Sequence, residues 1–391
     1  LFGIRNKFKR RHKMSERKYQ RCTNCVMDTT DSKIKFDENG LCDHCKNYYE
    51  NIVPNWDTGE KGKSKLDTLL MEIKRETRDK EYNCIIGLSG GVDSSYLAYI
   101  AKTKWGLNPL IYTVDTGWNL PVADENCNKI INKLQLDVHN EVIDEKELMD
   151  LQLSFFKSQV AYQDTPQDHV IFASLYNFAA ENGYKYILTG GNYSTECVRE
   201  PNEWVHGNDL RMMKDIQKKY GSMKLDKLQT CSIFKYRIFY RYFKGVRNIK
   251  VLDYIPYKKK EVIDTLVSEF DWKPYKNKHY ENLFTRFYEG YWLIKKFGYD
   301  KRKAHFSSLI LTGQLDREEA IRILEESPYP EEEAMKDMEL IVEKLGITKQ
   351  EFIKLMNREN KTYKDYKTSK SLIDAGVKVY QILGLEKRNF R

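Results

Sequence analysis

Five short apolar runs, "NCIIGL", "NPLIYTVD", "VHNEVID", "YKYILTG" and "IKVLDYI", punctuate residues 83–255. Between most of them lie helical patterns: "DSSYLAYIAKTKW", "VADENCNKIINKL", "KELMDLQLSFFKSQVAY" and "QDHVIFASLYNFAAENG". Short apolar strands alternating with helices predict an α/β fold, a parallel sheet covered on both faces. Ligands of such sheets sit at the C-terminal ends of the strands. The turns that follow the strands are therefore the places to look for chemistry.

The first turn is "GLSGGVDSS", residues 87–95. It runs from an apolar strand into a helix. Unpaired backbone N–H groups and the helix dipole favour an anion there. Gly90 and Gly91 let the backbone approach that anion with no Cβ in the way. Ser89, Ser94 and Ser95 add hydroxyl donors. Asp93 would repel a bare phosphate, so its presence calls for Mg²⁺ between acid and phosphates. The Gly-Lys-Ser/Thr ending of a Walker loop is missing. Two further turns lie where the same sheet edge would meet a nucleotide: "TVDTGW" with Asp115 and Thr116, and "TGGN" with Gly190, Gly191 and Asn192.

Upstream, "CTNC" and "CDHC" place Cys22, Cys25, Cys42 and Cys45 as two pairs separated by 16 residues. That spacing matches a tetrahedral structural zinc site, and two pairs at ribbon spacing argue against a redox role. His44 reads as a surface residue, because four thiolates already close the shell. The other four cysteines are unpaired in sequence. Cys84, in an apolar strand, reads as core.

The chain of 391 residues has room for two or three domains. It has no apolar run of about 18 residues or more and no secretory pattern at its start, so a cytoplasmic protein without membrane contact is expected. Residues 1–13 carry six basic groups and no acid; the rest holds 60 basic against 57 acidic residues, a net +3. A folded part so nearly balanced makes nucleic acid an unexpected partner. Residues 1–14 read as a basic leader, either an added extension or a flexible arm. The expected domains are a zinc-binding four-cysteine lobe over 15–55, a nucleotide domain over 64–258 and a mostly helical region over 259–391 that completes the substrate site. Segment 55–66 reads as a linker.

The segment 276–320 is dense in Lys, Arg, His, Tyr and Phe. Phe284, Phe287 and Tyr291 have helical spacing and read as core. Lys278, Arg286, Lys301 and Arg302 read either as solvated surface or as ligands of an acidic or phosphorylated substrate. His279 and Glu281 are candidates for proton transfer.

The glycine turn resembles the Ser-Gly-Gly-x-Asp-Ser loop of the PP-loop ATP pyrophosphatases. These enzymes split ATP between its α and β phosphates. The combination is more specific: "RCTNCVMDTTDSKIKFDENGLCDHC", "GLSGGVDSS", "YTVDTGWN", "TGGNYSTE" and "YENLFTRFYEGYWLIKKFGYDKRKAHFSSLILTGQLDREEA". Over residues 20–325 it looks like the N-acetyl sugar amidotransferase family of bacterial surface-polysaccharide, O-antigen and nonulosonic acid biosynthesis. The resemblance implies a PP-loop (adenine nucleotide alpha-hydrolase-like) parallel sheet, a zinc-ribbon-like N-terminal lobe and a helical C-terminal region. It implies an AMP- and pyrophosphate-forming C–N ligase that turns a sugar acetamido group into an acetamidino group. ATP, Mg²⁺ and Zn²⁺ are the implied cofactors. Asp93, Ser89, Lys278, His279 and Lys301 become the catalytic candidates. Ser89, Gly90, Gly91, Asp93, Ser94, Ser95, Asp115, Thr116, Gly190, Gly191 and Asn192 become the nucleotide candidates. Arg286, Arg302 and His305 become the substrate candidates, for an acidic or nucleotide-linked sugar. With no glutaminase pattern in the chain, ammonia is expected from a separate glutaminase like that of histidine biosynthesis, accompanied by a cyclase-like protein. The alternative is a PP-loop enzyme that thiolates tRNA, for which Cys197 would be the candidate sulfur carrier.

Overall fold

The computed structural model describes residues 17–205 and 209–382; the expected basic leader lies outside the described residues. Five strands form one all-parallel sheet: β1 Cys84–Gly87, β2 Pro109–Asp115, β3 Val138–Val142, β4 Tyr186–Leu188 and β5 Arg247–Ile249. Their order is β3-β2-β1-β4-β5. The chain winds outward from β1 through β2 to β3, then returns to the other side of β1. The switch point between β1 and β4 is where a doubly wound sheet opens a crevice at its C-terminal edge.

Alternation along β1 sends neighbouring residues to opposite faces. Ile86 joins a core with Leu66, Leu70, Ile73, Leu97 and Leu266. Ile85 joins one with Tyr112, Ala173, Tyr176, Ile187 and Tyr240. Both faces are therefore covered, as the unbroken apolar runs require. β3 sits at an edge, and its Val138 and Val142 are exposed.

The helices Val92–Thr103, Pro121–Leu134, Glu145–Ser158 and Thr165–Glu181 follow the four expected patterns. Two boundaries differ from the sequence reading. The helix Glu60–Glu76 takes up most of the expected linker, because Leu66, Leu69, Leu70 and Ile73 bury one stripe of it. The run "IKVLDYI" only begins in a strand: β5 ends at Ile249 and Val251–Tyr254 is a 3-10 turn. Its apolar content reflects burial of Val251 and Leu252, not extension.

Downstream helices pack against Phe156 of the helix Glu145–Ser158 to build a third core with Phe284, Phe287, Trp292 and Phe352. Phe284 and Phe287 are fully buried and Tyr291 nearly so, as their spacing indicated. No helix among the described residues is long and apolar enough to cross a membrane.

Candidate functional site

The glycine turn follows β1 directly, at the switch point. Gly90 has φ +80°, and a Cβ there would stand 2.6 Å from the Ala123 carbonyl oxygen. Only glycine fits this left-handed, crowded position. Gly91 caps the helix Val92–Thr103, and its N–H donates to the Ser89 hydroxyl at 3.3 Å. The Ser89 and Ser94 hydroxyls lie 3.3 Å apart. Tyr275 donates its hydroxyl to the Gly90 carbonyl at 3.2 Å, fixing the turn from behind. Ser95 differs from its sequence assignment. One residue further along the helix, its hydroxyl is fully buried and has no hydrogen-bond partner among the described residues, so it is turned away from the loop mouth.

The turn after β4 packs on the same loop. A Cβ at Gly190 would stand 2.8 Å from the backbone carbon of Asp93. This glycine is required by backbone contact between the two turns. Asn192 is buried: its amide donates to the Gly190 carbonyl at 3.0 Å and to Asp93 Oδ1 at 3.4 Å. It therefore positions Asp93. In the turn after β2, Asp115 accepts the Gly117 N–H at 2.8 Å and Thr116 is buried, so both shape that turn.

Asp93 is the centre of a mixed charge cluster. Its carboxylate accepts the hydroxyl of Tyr257. Burial raises its pKa, and the Lys278 ammonium opposes that rise. Lys278 pairs with Glu196. Burial works against the Glu196 carboxylate, yet Lys278 beside it brings its pKa down to about 2. Lys259 is pushed below its ordinary value by burial and donates to His305 Nε2 at 3.1 Å. His305 Nδ1 lies 3.2 Å from the Thr195 carbonyl. Burial and the two lysines hold this imidazole well below its usual pKa, so it is neutral, donating through Nδ1 and accepting at Nε2.

The segment 281–283 reaches this cluster by pairing with residues 118–120. The Leu120 N–H donates to the Glu281 carbonyl at 3.0 Å and the Leu283 N–H to the Trp118 carbonyl at 2.9 Å. Glu281 Oε1 would lie 2.9 Å from a Cβ on Gly91. It also lies 3.8 Å from His279 Nδ1. Burial opposes the charge on His279, but its Glu281 partner raises the imidazole pKa.

Lys301 belongs to a neighbouring acidic group. It bridges Glu289 at 2.5 Å and Glu200 at 3.2 Å. Burial raises the carboxyls of Glu200 and Asp164, and that of Asp168 to about 6, although Asp168 remains accessible to solvent. A cleft of about 2530 Å³ joins the two clusters, lined by Glu196, Lys278, His279, Glu289, Lys301 and His305 among others. It reaches the loop through Lys278 and Glu196, which both act on Asp93. An ordinary ligand pocket is up to about 1,000 Å³, so this cleft has room for more than one small ligand.

Two substrate assignments fail on geometry. Arg286 forms a two-point pair with Asp337 at 2.8 Å, outside the cleft lining, and ties two helices together. Arg302 borders the cleft, but its guanidinium is used by Asp300 and by the carbonyls of Ile323, Leu324 and Glu326. Both arginines serve the fold. Conversely, Glu196, Tyr257, Lys259, Glu200 and Glu289 were not singled out from sequence. Glu196 and Glu289 lie inside the runs "TGGNYSTE" and "YENLFTRFYEGYW", and Lys259 lies in a run of cations at 258–260.

The four cysteines of the N-terminal pairs converge. Their sulfurs all lie within 4.8 Å of one another, with Cys22–Cys45 at 3.8 Å, Cys25–Cys42 at 3.7 Å and Cys42–Cys45 at 3.6 Å. Zn–S bonds of about 2.3 Å set tetrahedral S–S edges of about 3.8 Å, so the quartet fits this metal. Backbone N–H groups of Asn24, Met27 and Cys42 point at the sulfurs, as thiolates require. His44 is half-buried rather than surface-lying and binds Asp31 at 2.9 Å; it is not among the converging ligands. Arg317 donates to the carbonyls of Cys22 and Cys25, pinning the lobe to the C-terminal helices.

Residues 281–380 match the family model described as LPS biosynthesis protein WbpG-like, C-terminal domain. This supports the amidotransferase resemblance. The chain is also 25% identical over 322 residues to the uncharacterized protein MJ1599 of Methanocaldococcus jannaschii, covering 80% of this chain and 95% of that one. Among solved structures, an NMN synthetase from Francisella tularensis aligns with TM-score 0.32 and 18% identity, over 54% of this chain and 71% of that one. A U34-tRNA thiolase, NcsA, from Methanococcus maripaludis aligns with TM-score 0.33 and 17% identity, over 78% and 88%.

Proposed function

We propose that this PP-loop protein with a WbpG-like C-terminal domain is an ATP-dependent amidotransferase acting on a sugar acetamido group. The broad assignment, an ATP-using PP-loop enzyme, rests on the glycine loop at the switch point of the sheet together with the domain match. The observation that carries the finer reading is the pairing of two unlike charge clusters along one cleft. One, around Asp93, combines Lys259, Lys278 and a neutral His305 with the backbone donors of the loop. The other, around Lys301, is acidic.

The chemistry suits these two ends. An amide carbon is a poor electrophile. Attack of its oxygen on the α-phosphorus of ATP breaks the bond to pyrophosphate and makes AMP a leaving group. Ammonia then adds to the carbon, and AMP departs with the former amide oxygen, leaving an amidine. Gly90, Gly91, Ser89 and Ser94 would cradle the β and γ phosphates. Mg²⁺, held by Asp93, would offset the charge that grows on the departing pyrophosphate. Lys278 and Lys259 stand beside that position and stabilise the same charge. The acidic end, with carboxyls raised by burial, can accept the proton released as ammonia becomes bonded to carbon. Zn²⁺ on the four cysteines is structural in this account.

Support against the thiolation alternative comes from the sulfur chemistry. A sulfur carrier needs an accessible thiol of low pKa. Cys197 is buried and pushed up to about 12 by burial, as is Cys127. Burial likewise raises Cys84, and Cys231 to about 11.

The ammonia source gives the test. With a diacetamido sugar and ATP, ammonium salt should sustain AMP and pyrophosphate release, glutamine alone should not, and an added glutaminase should restore turnover on glutamine. Turnover on glutamine by this chain alone would contradict the separate-glutaminase reading. AMP release with tRNA and not with sugar would overturn the substrate assignment.

A further inference from the structure

The π-type helix Lys235–Phe243 carries large apolar side chains that no core among the described residues covers. Its inner side is anchored: Tyr240 is buried and Tyr236 packs edge-on against Phe172 and Tyr176 at 4.7 and 4.9 Å. Outward, Phe234 is 64% exposed, Tyr242 63% and Phe243 74%, with Ile238 and Phe239 also in solvent. Phe239 and Phe243 stack on one another at 5.9 Å.

The charge carried by this segment is of one sign. Residues 227–250 contain seven Lys and Arg and no Asp or Glu. Lys227 and Arg247 are engaged by Asp144 and Glu72. Arg237, Arg241 and Lys244 have no carboxylate partner among the described residues; the two arginines lie over Tyr236 and Tyr242. Phe234, Arg237, Ile238 and Tyr242 stand at the rim of the large cleft. Ile373 and Val377, on the helix Lys370–Ile382, line the same cleft. This second helix also leaves Leu372, Val379 and Ile382 exposed.

We propose that the rim helix Lys235–Phe243 is a docking surface for an anionic phospholipid bilayer. Exposed apolar patches of this kind mark interaction sites. Aromatic side chains interleaved with cations, with no acid on the same segment, are the composition of a helix that lies in the headgroup region. Its unpaired cations complement a negatively charged membrane surface. An acidic protein would match the charge but would need its own apolar ridge to cover a protruding row of rings; the acyl boundary of a bilayer accepts such a row without a matching shape. The expectation of no membrane contact, drawn from the lack of a spanning helix, does not bear on surface docking. Docking here would set the mouth of the cleft beside the bilayer. The proposal is independent of the reaction assigned above.

The test is sedimentation of the full chain with vesicles of phosphatidylcholine, with and without phosphatidylglycerol. Binding should appear with phosphatidylglycerol, weaken with added salt, and be weak on phosphatidylcholine alone. Phe239→Ser/Phe243→Ser and Arg241→Glu/Lys244→Glu, neither touching the cleft lining, should each lower the partition coefficient by about tenfold or more. Zinc content and circular dichroism equal to the parent would show that these variants are folded. Failure of the parent to bind phosphatidylglycerol vesicles overturns the proposal. So does unchanged binding by both folded variants. A tRNA or acidic-protein competitor that binds this helix while the vesicles do not would also overturn it.

Discussion

Replacing Asp93 with Asn is expected to lower the rate of AMP formation by about a hundredfold, while ATP affinity changes by only a few fold. The substitution keeps the shape of the site. An Asn oxygen can still accept the Tyr257 hydroxyl, and the neighbouring Asn192 amide remains 3.4 Å away. What is removed is the charge that would hold Mg²⁺. The pyrophosphate gains negative charge as its bond to the α-phosphorus breaks, so the loss falls mainly on the transition state. A preorganised contact of this type is worth about 3 kcal/mol. The same residue sets a pH dependence. Burial raises its pKa, so the metal-holding ionised form is lost as pH falls through a value above that of an ordinary aspartate. The acid limb of the parent rate profile should therefore lie above the usual aspartate range, and Asp93→Asn should lack it. Near-normal AMP formation by this variant would make the loop a structural turn.

Cys22→Ser is expected to remove the zinc, one ion per chain, and to unfold the N-terminal lobe. The lobe has little core of its own; buried Met27, Ile34, Tyr48 and Ile52 surround the four cysteines. Zinc binding to such small modules supplies about 10 kcal/mol or more of folding free energy. Three thiolates cannot hold the same shell, and the carbonyls of Cys22 and Cys25 also anchor Arg317. Loosening should therefore reach the helix Arg317–Glu325. His44→Ala should keep its zinc, because His44 is bound to Asp31 and not to the quartet. Metal analysis with limited proteolysis distinguishes the outcomes. Full zinc content and unchanged cleavage in Cys22→Ser would refute the site.

Much of the sheet and its glycine loop could be read locally. Apolar runs closed by Gly or Asp turns carry their own signal, and Cys-x-x-Cys spacing is a geometric statement in itself. What escaped was the side of the site assembled from distant segments. Glu196 follows β4, Lys259 opens the helix Lys259–Phe270, and Lys278 sits beyond that helix. No periodicity links them; the sheet topology brings them to Asp93. Arg286 and Arg302 misled for the converse reason. Residue type cannot distinguish an arginine that awaits a substrate from one already satisfied by Asp337 or by the carbonyls at the end of a helix. Ser95 was misplaced by reading the loop as a string of hydroxyls. A helix beginning at Val92 turns its fourth residue about 300° from the first, and here that direction is inward.

The fate of the amide oxygen tests the central claim most directly. A diacetamido sugar carrying a heavy oxygen isotope in its acetamido carbonyls is incubated with ATP, ammonium salt and the enzyme, and the AMP is examined by mass spectrometry. Adenylation of the amide oxygen followed by attack of ammonia predicts that the label leaves the sugar and appears in AMP, while the sugar gains nitrogen in its place. Unlabelled AMP formed alongside amidine product, or labelled sugar left intact while ATP is consumed, would contradict the account.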